Sequence, residues 1–346
     1  MYWCKTRTAI GNDDALLAYR QLKAVWLLLA VLSSMPACAE EALTESLATE
    51  PPISFIPQPS LDVMDAPRDY LSEQFTGLIG RVDRFFGDDR HFQESNESVL
   101  QLDLTRVTGY NGDGLYVFSG RAKLDLPNTE ERLHLTIESD ADQNLSTDQS
   151  RTQQAATKRS TVQSIAAALR FERMYNERWH FSTDTGLQFQ GTATTPFTRA
   201  RGSVKGTLGS WHTKASETVF WFNTIGAGET TRFDLERLLS EPLLFRISSN
   251  ATWLHDQQNF DLRQDFSLFH SWDERTALLY QASVFGISKP QTHVTDYVLL
   301  VSYRYRLHRD WLFFELDPQL HFPADRQFHT NPALVMRLEM LFDETD

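Results

Sequence analysis

Residues 334–342, LVMRLEMLF, decide the fold class, because apolar and charged side chains alternate there with a period of two. In an extended strand, successive side chains point to opposite faces. One face of this strand therefore carries Leu334, Met336, Leu338, Met340 and Phe342. The charged residues Arg337 and Glu339 fall on the other face. Such a strand lies between an apolar and a polar environment.

The same alternation extends upstream through most of the chain. Tyr297, Leu299 and Val301, for example, alternate with polar residues such as Ser302 and Arg304. The pattern predicts about fourteen antiparallel strands, an even number. Their expected starts are near Ser98, Leu115, Arg132, Ser164, Arg178, Phe197, Glu217, Thr230, Leu243, Asn259, Thr276, Val294, Trp311 and Ala333.

The final strand ends on an aromatic residue, Phe342, followed by a tail at 343–346. This ending resembles the C-terminal signal of bacterial outer-membrane β-barrel proteins. The resemblance covers residues 98–342 and implies an all-β, antiparallel transmembrane β-barrel in contact with outer-membrane lipid. It also implies the barrel-assembly machinery as a partner, through the strand that ends at Phe342.

Loop lengths and aromatic positions agree with that architecture. With both ends of the barrel in the periplasm, the longest connection, residues 140–163, is extracellular, as barrels prefer. We expect an interfacial girdle of aromatic residues formed by Trp179, Trp272, Trp311, Tyr175 and Tyr303. Pro318 falls inside a strand and predicts a local bulge.

The N-terminal residues 1–39 have the pattern of a secretory signal peptide. An apolar run at residues 24–32 follows Arg20 and Lys23 and precedes the small-x-small site that ends at Ala39. We expect cleavage before Glu40. The alternative is lipidation at Cys38. Both cysteines, Cys4 and Cys38, lie in the segment to be removed, so we expect no disulfide and no thiolate chemistry.

Two further segments separate the signal peptide from the strands. Residues 40–68 are acidic and proline-bearing, and they predict a linker. Residues 69–97 comprise a short amphipathic helix and a connector. The helix is predicted from the apolar residues Tyr70, Leu71, Phe75, Leu78, Ile79, Val82, Phe85 and Phe86. Its apolar face either packs on or inside the periplasmic end of the barrel, or docks on a membrane surface or a periplasmic partner.

Charged residues of both signs occupy the positions that should face the lumen. The lumen-lining candidates are Arg121, Arg201, Arg232, Asp234, Glu236, Arg263, Arg304, Arg306, Glu315, Asp317, Arg337 and Glu339. Ten more charged positions share this pattern: Asp103, Lys123, Arg170, Glu172, Asp184, Arg199, Lys205, Arg246, Asp261 and Asp265. This density of opposite charges favours ion pairs that brace a narrow lumen; a ligand or ion path is the alternative.

Other functions have weaker support. A net charge of −13 argues against nucleic-acid binding. No glycine loop for phosphate and no histidine pair at metal-ligand spacing occurs, so we expect neither cofactor nor metal. Enzyme candidates are limited to His270 with Ser271, His255 with Asp256, and His293 with Asp296. We therefore expect a structural or narrow-channel barrel with low or intermittent conductance; the alternatives are an outer-membrane hydrolase and a soluble periplasmic β-sandwich.

Overall fold

The computed structural model describes Val82, Phe85, Phe86 and Phe92 and residues 98–109, 114–126, 132–142, 164–175, 178–307 and 311–343. The chain divides into two units, residues 1–60 and 61–346, and every described residue lies in the second. The expected signal peptide and linker lie outside the described residues. Among the residues that are described, no helix is both long and apolar enough to cross a membrane.

Fourteen antiparallel strands form one closed barrel, as the sequence predicted. Each strand pairs with its neighbours in the chain, and β1 pairs with β14 to close the ring. The strands are β1 (Val99–Gly109), β2 (Leu115–Asp125), β3 (Leu133–Ser139), β4 (Ile165–Tyr175), β5 (Trp179–Gln190), β6 (Ala193–Leu208), β7 (Trp211–Phe222), β8 (Gly226–Ser240), β9 (Leu243–Leu254), β10 (Asn259–Ser271), β11 (Thr276–Ile287), β12 (His293–Arg306), β13 (Leu312–Pro323) and β14 (Asn331–Asp343).

The barrel has an apolar exterior and a polar interior. Outward side chains such as Phe118, Leu299 and Phe181 are about half exposed, at 62%, 49% and 47%. Inward neighbours such as Arg304 and Glu315 are fully buried. A soluble sandwich would bury its apolar face and expose its polar face, so that alternative is wrong.

The two rims of the barrel differ. We call the rim where β1 begins the proximal end and the opposite rim the distal end. The longest connection, residues 140–163, joins β3 to β4 at the distal end. The five aromatic residues expected to form a girdle all lie toward the proximal end, where Trp272 is 66% exposed and Trp311 stacks on Phe342 at 5.1 Å.

Pro318 does not cause the predicted bulge. Leu300 pairs with Gln319 and Tyr303 with Leu316, so the register between β12 and β13 is the same on both sides of the proline. Only the pairing in between is interrupted, because proline has no N–H to donate. Bulges occur instead at Phe285/Gly286 and at Leu238/Ser240.

Candidate functional site: the barrel lumen

The twelve lumen-lining candidates all belong to strands whose polar side chains point inward. Nine of them are at most 9% exposed: Arg232, Asp234, Glu236, Arg263, Arg304, Glu315, Asp317, Arg337 and Glu339. Arg121, Arg201 and Arg306 are half-buried. Arg306 donates to the backbone carbonyl of Glu274 at the proximal rim, at 2.7 Å. The lumen wall is therefore a buried layer of charge.

One group of ion pairs joins β12, β13 and β14. The Arg304 guanidinium donates to Glu315 at 2.8 Å and to Glu339 at 2.6 Å. Arg337 contacts the other oxygen of Glu315 at 3.4 Å. Because β13 lies between β12 and β14, the Arg304–Glu339 contact spans a strand and ties three strands together.

A second group joins β2 to β6. Lys123 donates to Glu172 at 2.8 Å, and these two residues come from β2 and β4. Asp184 on β5 accepts from Arg170 and from Arg199, both at 2.6 Å. All five side chains are at most 4% exposed. The Lys123–Glu172 pair again connects two strands that are not adjacent, and Asp184 links β4 and β6 through β5.

Four residues of this second group were not among the predicted candidates: Asp125, His134, Glu138 and His180. Glu138 on β3 accepts from Arg199 at 3.0 Å. His134 contacts Asp125 through Nδ1 at 2.5 Å and faces Glu172 through Nε2 at 3.6 Å, and the Nε2 of His180 lies 3.7 Å from the same carboxylate. The sequence pattern that predicts an inward position was present for two of them, because His134 and Glu138 alternate with leucine and isoleucine in β3.

A third group occupies β8, β9 and β10. Arg246 on β9 contacts Glu236 at 2.6 Å; the two residues are directly opposed in the β8–β9 register. Arg232 contacts Asp234 and Arg263 contacts Asp265, at 3.0 and 2.8 Å. In these last two pairs the partners are two residues apart, and positions two apart share one face of a strand.

Phenylalanines that precede β1 lie inside the lumen at the proximal end. Phe86 packs edge-to-face on Phe269 of β10, with ring centroids 5.3 Å apart. Phe85 packs in the same way on Phe313 of β13 at 5.6 Å. Val82 and Phe86 share an apolar cluster with Leu238, Leu244, Phe269, Ala277, Leu279 and Leu300.

Phe92 reaches the other side of the barrel. It packs with Val99, Phe313 and Leu341, and the guanidinium of Arg121 on β2 lies 4.6 Å from its ring centroid. Arg170 on β4 lies 5.8 Å from the same ring. The strands contacted by Phe92 and Phe86, β4 and β10, are six strands apart in a ring of fourteen, so these phenylalanines together cross the lumen.

The predicted amphipathic helix is described only at its C-terminal end. The N–H of Phe86 donates to the carbonyl of Val82 at 2.9 Å, which is one helical turn. The remaining residues of the predicted helix, 70–81 and 83–84, lie outside the described part of the chain. Val82, Phe85 and Phe86 pack against inward-facing residues at the proximal end.

A separate apolar cluster lines the distal part of the lumen. Phe197 and Phe222 stack with ring centroids 4.9 Å apart, and Phe220 lies beside them. They are joined by Ala141, Ala166 and Ala168, with Ile225 and Leu254 packed against them. The ion pairs on β4 to β6 therefore lie between this distal cluster and the phenylalanines at the proximal end.

The histidines of the enzyme candidates make separate local contacts. His270 and Ser271 are successive residues of β10 and so point to opposite faces. His255 packs on Trp253, and the Nδ1 of His293 binds the carbonyl of Gln291. Among the described residues, no group of three or more histidine, cysteine, aspartate or glutamate side chains is placed to bind a metal ion.

Comparisons with known proteins find similarity only among solved structures. No protein-family model and no curated protein matches the chain. OprB of Pseudomonas putida has 8% identity and a TM-score of 0.46, covering 74% of this chain and 97% of that one. The outer membrane channel DcaP of Acinetobacter baumannii has 6% identity and a TM-score of 0.41, and the match covers 71% of this chain and 96% of that one. The KdgM porin has 5% identity and a TM-score of 0.34, and the match covers 70% of this chain and 99% of that one.

At these identities and TM-scores, the similarity tells nothing about what this protein binds or carries. The architecture follows from the molecule itself. A closed antiparallel ring satisfies the backbone hydrogen bonds between strands, and an apolar exterior suits lipid. The chain has the architecture of bacterial outer-membrane β-barrel proteins.

Proposed function

We propose that the protein is a narrow outer-membrane channel that is held closed by its own N-terminal segment. The observation that carries the proposal is the position of Phe85, Phe86 and Phe92 inside the proximal end of the lumen, between walls formed by opposite strands. Fourteen strands enclose more space than the filled eight-stranded barrels. A lumen of this size accommodates an inserted segment.

The contacts of these phenylalanines suit a closure that can be released. They are aromatic, apolar and cation–π contacts, and none is covalent. The ion pairs of the wall described above are formed between residues of the barrel strands themselves. Displacement of the segment would therefore leave the barrel intact and open its proximal end.

Planar-bilayer recordings of the mature protein test the proposal. We expect low or intermittent conductance from the intact protein. The triple variant F85A/F86A/F92A, and a variant lacking residues 40–97, should both give larger and steadier currents. The matched control is F118A/F181A/F189A, which removes three phenylalanines from the outer face and should behave like the intact protein. A large steady current from the intact protein, or equal currents from both triple variants, would refute the closure.

Export and assembly complete the proposal. We infer cleavage of the signal peptide after Ala39, which N-terminal sequencing of the mature protein tests; an N terminus other than Glu40 contradicts it. We also infer recognition of β14 by the barrel-assembly machinery through Phe342, which is 38% exposed on the outer face. The alternative is that the predicted N-terminal helix, residues 70–86, binds a periplasmic partner.

A further inference from the structure

The outer face of the barrel is not equally apolar on all sides. In the middle of β12, β13, β14 and β1, outward positions are occupied by Leu299, Leu316, Leu338 and Leu104. On β5 to β10, the outward residues away from the strand ends include polar ones: Thr183, Thr185, Thr198, Glu217, Thr231, Ser249 and Gln264. Polar side chains at membrane depth are costly and rarely face lipid. One side of the barrel is therefore poorly suited to contact with lipid chains.

Four of these residues form what we call the polar band: Glu217, Thr231, Ser249 and Gln264, on β7, β8, β9 and β10 in that order. Glu217 is directly opposite Thr231 in the β7–β8 register, and Ser249 is directly opposite Gln264 in the β9–β10 register. The Thr231 hydroxyl donates to Glu217 at 2.7 Å, and the Ser249 hydroxyl donates to Gln264 at 2.6 Å. The band therefore consists of two hydrogen-bonded pairs, one on each side of the line between β8 and β9.

Outward aromatic residues indicate the depth of the polar band. Three band residues each lie four positions from an outward aromatic residue nearer the distal rim; the pairs are Glu217 with Trp221, Ser249 with Trp253, and Gln264 with Phe260. On the proximal side, Trp211 and Phe245 pack edge-to-face with ring centroids 6.4 Å apart. Because aromatic residues mark the two membrane interfaces, the band lies at one depth between them. Lipid headgroups and water-soluble proteins do not reach that depth.

The residues around the polar band suit contact with another membrane-embedded surface. Ala215 and Ala251 are the outward neighbours of the band on β7 and β9. Small residues let such surfaces approach closely. Phe233, which is directly opposite Ser249 and 40% exposed, adds an apolar contact. The surface therefore combines close approach, an aromatic side chain and polar groups that lipid cannot satisfy.

We propose that the polar band is the contact surface for a second copy of this chain, related to the first by a two-fold axis along the membrane normal between β8 and β9. In such an interface, both copies use the same patch. Glu217 of each copy lies against Gln264 of the other, and Thr231 lies against Ser249. A carboxylate accepts hydrogen bonds and an amide donates them, so the patch is complementary to itself. The pairing of copies does not depend on closure of the lumen.

Cross-linking in intact outer membranes tests the interface. A variant with Cys4 and Cys38 changed to serine carries Ala251→Cys, next to the axis and outside the polar band. A short bifunctional maleimide should give a product with the mass of two chains. The matched control is Leu104→Cys in the same background, because Leu104 is 45% exposed on the outer face of β1, seven strands from β8. It should give no such product.

Substitutions in the polar band provide the second readout. E217L/Q264L should still form a barrel, as judged by gel migration before and after heating, because leucine suits a lipid-facing position. It should lose most of the A251C product, whereas T185L/T198L, the same kind of change on β5 and β6, should retain it. Absence of a two-chain product from A251C, equal products from A251C and L104C, or retention of the product in E217L/Q264L overturns the proposal. A product that contains a chain of another mass overturns it as well, because the surface would then bind a different membrane protein.

Discussion

Arg304 illustrates how a single residue holds the lumen wall together. Its side chain is fully buried, and it binds the equally buried carboxylates of Glu315 and Glu339. Its guanidinium also lies 4.4 Å from the ring centroid of Phe313. Removal of the cation would leave two carboxylates in a region that water does not reach.

We expect Arg304→Met to destabilise the folded barrel by about 3–5 kcal/mol, because breaking a buried ion pair leaves an uncompensated charge. Urea unfolding of the purified protein measures the loss. Arg306→Met is the matched control on the same face of β12. Its side chain is half-buried at the rim and binds a backbone carbonyl, so its effect should be clearly smaller. A loss from Arg304→Met no larger than that from Arg306→Met would contradict the stabilising role of the buried ion pairs.

The sequence predicts which residues face the lumen but not which of them pair. Alternation with a period of two places Arg304, Glu315 and Glu339 on the inner face from local information alone. The Arg304–Glu339 contact depends on how three strands align, which no local pattern reveals. His134 and Glu138 could have been predicted from the alternation in β3, a strand of seven residues.

Among the strands, prediction succeeded where the alternation is strong. All fourteen strands are present, and their starts agree within six residues; the largest difference is at β7, which begins at Trp211. After Trp211, small and polar residues occupy both faces of that strand up to Glu217, so the first half shows little alternation between apolar and polar side chains. The prediction of a bulge at Pro318 was wrong. The proline removes one N–H donor, and the hydrogen bonding between β12 and β13 is interrupted there without the extra residue that a bulge inserts.

The contact between β4 and β5 requires a glycine at one point. A Cβ atom on Gly186 would lie 2.1 Å from the carbonyl oxygen of Ala167 and 2.6 Å from the Cβ of Ala168. Because these atoms belong to the neighbouring strand, the backbones would have to separate. Gly186→Ala should therefore destabilise the barrel by about 1–3 kcal/mol, the usual cost of overpacking.

Gly202→Ala is the control for this prediction. Its added Cβ would meet only the ring of Phe181 on the outer face, at 3.3 Å, and that ring can move. Thermal midpoints from gel migration compare the two variants. A Gly186→Ala midpoint equal to that of Gly202→Ala would mean that the close approach of β4 and β5 is absent in the folded protein.

For the whole molecule, the central feature is the position of Val82, Phe85, Phe86 and Phe92 inside the lumen. The spacing of the apolar residues at 70–86 predicts an amphipathic helix but leaves its binding surface open between the barrel and a partner. The surface that receives Phe86 is assembled from β9, β10, β11 and β12, and it exists only after these strands have paired. Local sequence therefore does not identify it.

Cross-linking between Phe86 and β10 tests the insertion directly. The native cysteines are Cys4 and Cys38 alone, so a variant with both changed to serine accepts engineered pairs. The pair F86C/F269C replaces two rings whose centroids are 5.3 Å apart inside the lumen. The control pair F86C/F266C uses a residue of the same strand whose side chain is 43% exposed on the outer face. A short bifunctional maleimide should join the first pair in the assembled protein and leave the second unjoined. Equal cross-linking of both pairs, or of neither, would contradict a lumen closed by the N-terminal segment.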